Sequence, residues 1–168
     1  MSEKLSFKIG DRVVYPSHGV GEIIGEENQV IGGSEINVFV ITFPKDKMTL
    51  RIPIKRATVT GLRPLSSDDE VKKVLNVLLG RAKIGKGMWS RRAQEYELKI
   101  NSGDIISIAE VVRDLHKNVD DPDRSYSERV IYESALNRLA GELAAVENID
   151  SKLAAERLVD ILRDKYAA

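Results

Sequence analysis

The sequence predicts an α+β protein in two parts: a small N-terminal β barrel over residues 1–65, then a compact all-α domain of about five helices over 66–168. Three observations carry this. From Arg12 to about Val59 the chain runs as short β-branched stretches broken by glycine and proline. At Pro64-Leu65-Ser66-Ser67 the apolar period changes from two to 3.6. No cysteine is present, so packing rather than disulfides must hold each part together.

Arg12-Val13-Val14-Tyr15 reads as a first strand stopped by Pro16, which cannot donate to a ladder. Val20 to Glu26 is a second, with Gly21 and Gly25 marking a strong bend or bulge. Gly32-Gly33-Ser34 is a turn, and Ile36 to Phe43 is the best strand in the chain. After Pro44-Lys45-Asp46-Lys47, alternation in the next strand puts Met48, Leu50, Ile52 and Ile54 on one face and Thr49, Arg51 and Pro53 on the other. Pro53 argues for an edge strand or a strand end. So few residues support an SH3- or Tudor-like barrel rather than a sandwich.

The helices follow. Ser67 and Glu70 have capping-box spacing ahead of Val71, Val74, Leu75 and Leu78, and Gly80 stops that helix. A second helix runs from about Ser90 to Asn101, with Gly103 as its stop. Asp104 opens a third, built on Ile105, Ile108, Ala109, Val112 and Leu115. Ser125 and Glu128 begin a long fourth helix through Tyr132, Leu136, Leu139, Leu143 and Val146, and Asp150-Ser151 caps a fifth on Ala154, Leu158, Ile161 and Leu162. These apolar stripes read as core.

The composition, 42% hydrophobic and 31% charged, is that of a soluble globular protein. The zero formal charge hides a local excess: residues 72–99 carry eight Lys/Arg against Glu95 and Glu97, a net of +6. A polyanion partner fits such a segment. Within it, Lys86-Gly87-Met88-Trp89-Ser90-Arg91-Arg92 holds the single tryptophan beside paired arginines. Read locally, Trp89 serves equally well as core filler or as a functional ring.

Nothing in the chain reads as catalytic equipment. Gly19-Val20-Gly21 precedes no helix and no Lys-Ser/Thr pair, so it is no phosphate loop. His18 and His116 are far apart and support neither a triad nor a metal site. The acids fall at caps or in salt-bridge spacing, where solvated faces are the expectation. No catalytic residue, metal, cofactor or small-molecule ligand is expected. The opening Met1-Ser2-Glu3-Lys4-Leu5 lacks a long apolar segment, and no run approaches the roughly 20 apolar residues of a bilayer span, so the expectation is a cytoplasmic protein without membrane contact.

Gly10-Asp11-Arg12-Val13-Val14-Tyr15-Pro16-Ser17-His18-Gly19-Val20-Gly21 resembles the opening of the CarD/CdnL family of bacterial transcription regulators. Trp89-Ser90-Arg91-Arg92, Ser102-Gly103-Asp104, Ala109-Glu110-Val111-Val112-Arg113-Asp114-Leu115 and Glu142-Leu143-Ala144 are similar to the same family, in its order. The barrel half also resembles the RNA-polymerase-interacting domain of transcription-repair coupling factors. The resemblance implies a Tudor-like polymerase-interacting domain followed by a helical DNA-binding domain. It implies docking on the RNA polymerase β subunit through Ile41, Arg51 and Pro53, with Gln29 standing where some relatives carry a further basic contact. It also implies promoter DNA held at the upstream edge of the melted bubble, with Trp89 as a minor-groove wedge and Arg91, Arg92 and Lys86 as flanking cations. The expected protein is a monomer that stabilises the open complex and reaches the nucleoid through polymerase. The competing expectation is an RNA- or ribosome-associated binding module.

Overall fold

The computed structural model describes residues 7–83 and 87–167. The chain divides into two compact units, Met1–Leu65 and Ser66–Ala168. The first is an antiparallel sheet of β1 (Arg12–Tyr15), β2 (Gly19–Ile31), β3 (Ser34–Phe43), β4 (Met48–Pro53) and β5 (Arg63–Pro64), in the order β4-β3-β2-β1-β5. The second holds α1 (Asp68–Leu79), α2 (Trp89–Asn101), α3 (Ile105–His116), α4 (Tyr126–Glu147) and α5 (Ser151–Ala167). This is the two-part α+β architecture that the change of period predicts, with a sheet consistent with a Tudor-like domain.

The β core is read directly from strand alternation. Val13, Ile23, Phe39, Ile41, Phe43 and Ile52 point inward from four strands and close on Ala57 and Leu62. Pro53 ends β4, which is an edge strand, because a residue without an N–H is tolerated where no further strand must pair. The register slips between Ile23 and Gly25, the bulge that the two glycines foretell. Gly21 has no side chain for a specific reason: a Cβ there would come within 2.7 Å of the Phe43 ring and 2.8 Å of Ile41. At the far end of the β2–β3 hairpin, Gly32 and Gly33 both take positive φ, as a two-residue connection requires.

In the helical unit α3 is the axis. It packs against α1, α2 and α4, and nine of its twelve residues are buried. The predicted face (Ile105, Ile108, Ala109, Val112, Leu115) is buried as expected, but Val111, Arg113, Asp114 and His116 are buried as well. Helix starts agree closely with the sequence. Ser67 accepts from Glu70 N in a complete capping box, Asp104 accepts from Ile106 N, and Ser125 accepts from Glu128 N.

The expectation that the acids sit on solvated faces needs correction at Asp114, Glu128 and Glu142, all buried. Each has a polar partner, as a buried carboxylate must. Glu142 of α4 accepts from both the backbone N–H and the hydroxyl of Ser66, fixing the first residue of the helical unit to its longest helix. Asn118 donates to Glu128 at 3.4 Å. Asp114 accepts from the Nε of Arg113 at 2.8 Å and from the backbone N–H of Lys83 at 2.9 Å.

His116 and Tyr132 share a buried 2.7 Å hydrogen bond between Nδ1 and the phenol oxygen. Burial pushes the Tyr132 hydroxyl up to about 12. It also holds the His116 imidazole below its ordinary 6.5, with Lys165, Arg163 and Arg124 adding to the effect and Asp120 opposing it. The sign for stability follows from linkage. As pH falls through 6.5 the unfolded chain takes up the histidine proton before the folded one does. Stability therefore drops from 6.5 downward, and the loss levels off below the folded-state value. We expect urea denaturation to show this decline between neutral and mildly acidic pH, and His116→Gln to flatten it. An equal slope in both proteins would refute the assignment.

Candidate functional site

Two surfaces, one on each unit, gather the residues that the sequence singled out. The first is the outward face of the sheet. In register, Arg51 on β4 stands opposite Val40 on β3, and Glu27 on β2 stands opposite Val38. Directly paired residues share a face, so Arg51 and Glu27 lie on the same side and flank β3 from its two neighbouring strands. The Arg51 Nε donates to Glu27 Oε2 at 2.9 Å, across two buried valines. That bond, first, holds the Glu27 carboxyl below its usual value and the Arg51 guanidinium above its own; Gln29 adds a side-chain hydrogen bond to Glu27. Both ion-pair partners remain about half exposed, 47% and 45%, so the pair is screened and exchangeable. Pro53 borders this face, partly exposed, at the end of the same edge strand.

Ile41 does not belong to this surface. Its side chain is 0% exposed and faces Ile23 and Leu50, on the side of the sheet away from Arg51. It alternates inward with Phe39 and Phe43. Of the three residues the resemblance implies as polymerase contacts, Ile41 is thus buried within the sheet, and Arg51 and Pro53 are on its outward face.

The second surface is the start of α2, and the helix begins one residue earlier than expected, at Trp89. Its N-cap is Met88, whose side chain accepts no hydrogen bond, and its first turn holds no acid. The contrast with α1, α3 and α4, capped by Ser67, Asp104 and Ser125, is chemical. Instead of an anion, α2 puts Arg91 and Arg92 at the end of the helix where the dipole is positive. Local stability disfavours that choice, and an incoming anion would reverse the balance.

The two arginines are not equivalent. Arg91 is 82% exposed and makes a long 3.9 Å approach to Glu95. Arg92 is held between rings: its guanidinium carbon lies 5.5 Å from the Trp89 centroid and 5.8 Å from that of Tyr96. Its Nη2 donates to the Tyr96 hydroxyl at 3.2 Å, while its Nε is buried with no hydrogen-bond partner among the described residues. Trp89 sits 6.1 Å from Tyr96 at a tilt of 44°, half-buried at the edge of the helical core. Trp89 is thus partly buried against the helical core without being enclosed by it, and its neighbour Met88 is 77% exposed.

A half-buried indole clamped by a cation presents a rigid apolar edge with positive charge alongside. That arrangement suits a flat π surface and a phosphate together. Lys86, the fourth DNA-facing residue named from the sequence, lies outside the described residues. Tyr96 went unremarked in the sequence reading. Its signal was the helical spacing, four residues after Arg92 and seven after Trp89. Among the described residues no helix is long and apolar enough to cross a membrane.

Comparison with known proteins places both surfaces in one context. Residues 7–66 match the "CarD-like/TRCF RID domain", and residues 73–160 match "CarD, C-terminal domain". The chain is also 29% identical over 146 residues to "Putative transcription factor YdeB" of Bacillus subtilis (strain 168), an overlap covering 87% of this chain and 95% of the relative. Matched over both units and in the same order, this chain belongs to the CarD family of transcription factors, and its first unit is an RNA-polymerase-interacting domain of the kind shared with transcription-repair coupling factors.

Proposed function

We propose that this protein is a non-enzymatic transcription regulator that bridges RNA polymerase and promoter DNA. The sheet unit docks on the polymerase β subunit through Arg51, Pro53 and the β4 edge. The helical unit brings the N-terminus of α2 to the upstream edge of the melted bubble. There Trp89 wedges into the minor groove where the duplex opens, filling space left by unstacking. Arg91 meets backbone phosphate directly, and Arg92 holds the indole in its pose. The protein works as a cytoplasmic monomer and reaches the nucleoid with polymerase.

One observation carries this reading above the rest: the arginine-clamped, partly buried Trp89 at a helix start that lacks an acidic cap. Backbone charge bears no sequence code, so DNA binding by this surface is salt-sensitive and sequence-tolerant. It is also weak when alone, because tethering through polymerase supplies the effective concentration.

Affinity capture of the full chain from a native lysate of its own host tests the assignment. Polymerase subunits should co-purify without ribosomal proteins, with a crosslink from the Arg51 face to the β subunit. Ribosomal proteins in place of polymerase would overturn it in favour of an RNA-associated module.

A further inference from the structure

Arg51 is engaged before any partner arrives. In the free protein its Nε donates to Glu27 Oε2 at 2.9 Å, a bond that runs from the edge strand β4 across β3 to β2. Register puts both residues on the outward face of the sheet, Arg51 against Val40 and Glu27 against Val38. Gln29, two residues along β2, adds a hydrogen bond to the same carboxylate. Glu27 is therefore held from its own strand and need not follow Arg51 when Arg51 moves.

The strands that meet here are opposite in charge. From Val13 to Pro44 the chain carries four glutamates (Glu22, Glu26, Glu27 and Glu35) and no lysine or arginine. From Lys45 to Arg56 it carries five Lys/Arg against the single Asp46. Arg51 and Glu27 join the basic edge to the acidic hairpin. Holding the sheet together does not account for the pair. β3 and β4 are already joined by a ladder from Val38–Pro53 to Phe43–Met48, and an ion pair about half exposed on both sides adds little to stability. Covering Val38 and Val40, 3% and 6% exposed on that face, needs only the aliphatic stems of the two side chains. The charge on Glu27 is left without a structural task.

We infer that Glu27 is a built-in competitor for Arg51: it occupies the guanidinium in the free protein, so polymerase must displace it. Affinity then reflects the difference between the partner that Arg51 gains and the one it gives up. Docking is weaker, and more easily reversed, than Arg51 alone would make it. Glu27 acts through Arg51, and no contact between Glu27 and polymerase is required. This inference rests on reading Arg51 as a polymerase contact.

Glu27→Gln tests it, because the substitution keeps the stem and removes the charge. Binding of purified host RNA polymerase to the full-length protein is measured for wild type, Glu27→Gln, Arg51→Gln and the double variant, with thermal melting as control. Glu27→Gln should bind about threefold more tightly than wild type, the scale of one exposed ion pair. In the Arg51→Gln background the same substitution should change nothing, since no guanidinium is there to be released. A charge needed only by the sheet would give the opposite pattern: earlier melting and weaker binding in both backgrounds.

Unchanged or weaker binding by Glu27→Gln would overturn the inference. So would a gain that persists in the Arg51→Gln background, because Glu27 would then act on polymerase directly. Arg51→Gln alone tells the two failures apart. If it weakens binding while Glu27→Gln gains nothing, only the competitor role falls. If it binds as tightly as wild type, Arg51 is no docking residue, and the reading of that face falls as well.

Discussion

Arg51→Glu is expected to weaken capture of RNA polymerase by roughly 100-fold while leaving the sheet folded, because reversing a charge in an interface replaces an attraction by a like-charge clash. Local structure makes the separation of binding from folding clean. Arg51 lies on the outer face of an edge strand, and it pairs with Glu27, itself about half exposed. The core residues of the same strand, Leu50 and Ile52, point the other way. A circular dichroism melt close to wild type beside a lost pull-down would meet the expectation. Unchanged capture would remove Arg51 from the docking face. Because the native Arg51–Glu27 pair is exposed, releasing Arg51 from it costs little.

Trp89→Ala is the second large effect. Removing the indole deletes a ring whose stacking on a base is worth about 1–3 kcal/mol. A loss of about 1.4 kcal/mol shifts an equilibrium tenfold, so the open-complex lifetime should fall by about that factor at a promoter limited by its stability. The substitution also takes away one of the two rings that hold Arg92, leaving Tyr96. Polymerase capture should stay at the wild-type level, since Trp89 belongs to the other unit. Whether the net effect is activation depends on the promoter: where escape is the slow step, a longer-lived open complex lowers output.

How much of this was legible in the sequence depends on how far each partner lies along the chain. Alternation over Met48–Ile54, with Pro53, was enough to give an edge strand and put Arg51 outside, because a strand's facing is a local property. The caps at Ser67, Asp104 and Ser125 were equally local. Ile41 is a different case. Its contact role came from resemblance, while its own alternation with Phe39 and Phe43 already pointed inward, and the structure agrees with the alternation.

Asp114 and Glu142 were beyond reach. Their partners are Lys83 and Ser66, 31 and 76 residues away, and no periodicity announces that a carboxylate will meet a backbone N–H across a fold. Trp89 lies between these cases. Spacing could place it near Tyr96, but only the packed structure shows that Arg92 completes the clamp and that the ring is partly buried against the core.

Bridging is tested most directly by open-complex lifetime measured against protein concentration for wild type, Arg51→Glu and Trp89→Ala. Tethering raises the local concentration of the wedge, so Arg51→Glu should lose the effect at low concentration and regain it as protein is added. Trp89→Ala, bound to polymerase throughout, should remain short at every concentration. A Trp89→Ala complex that keeps the wild-type lifetime while polymerase-bound would contradict the wedge and, with it, the proposed function of the α2 surface.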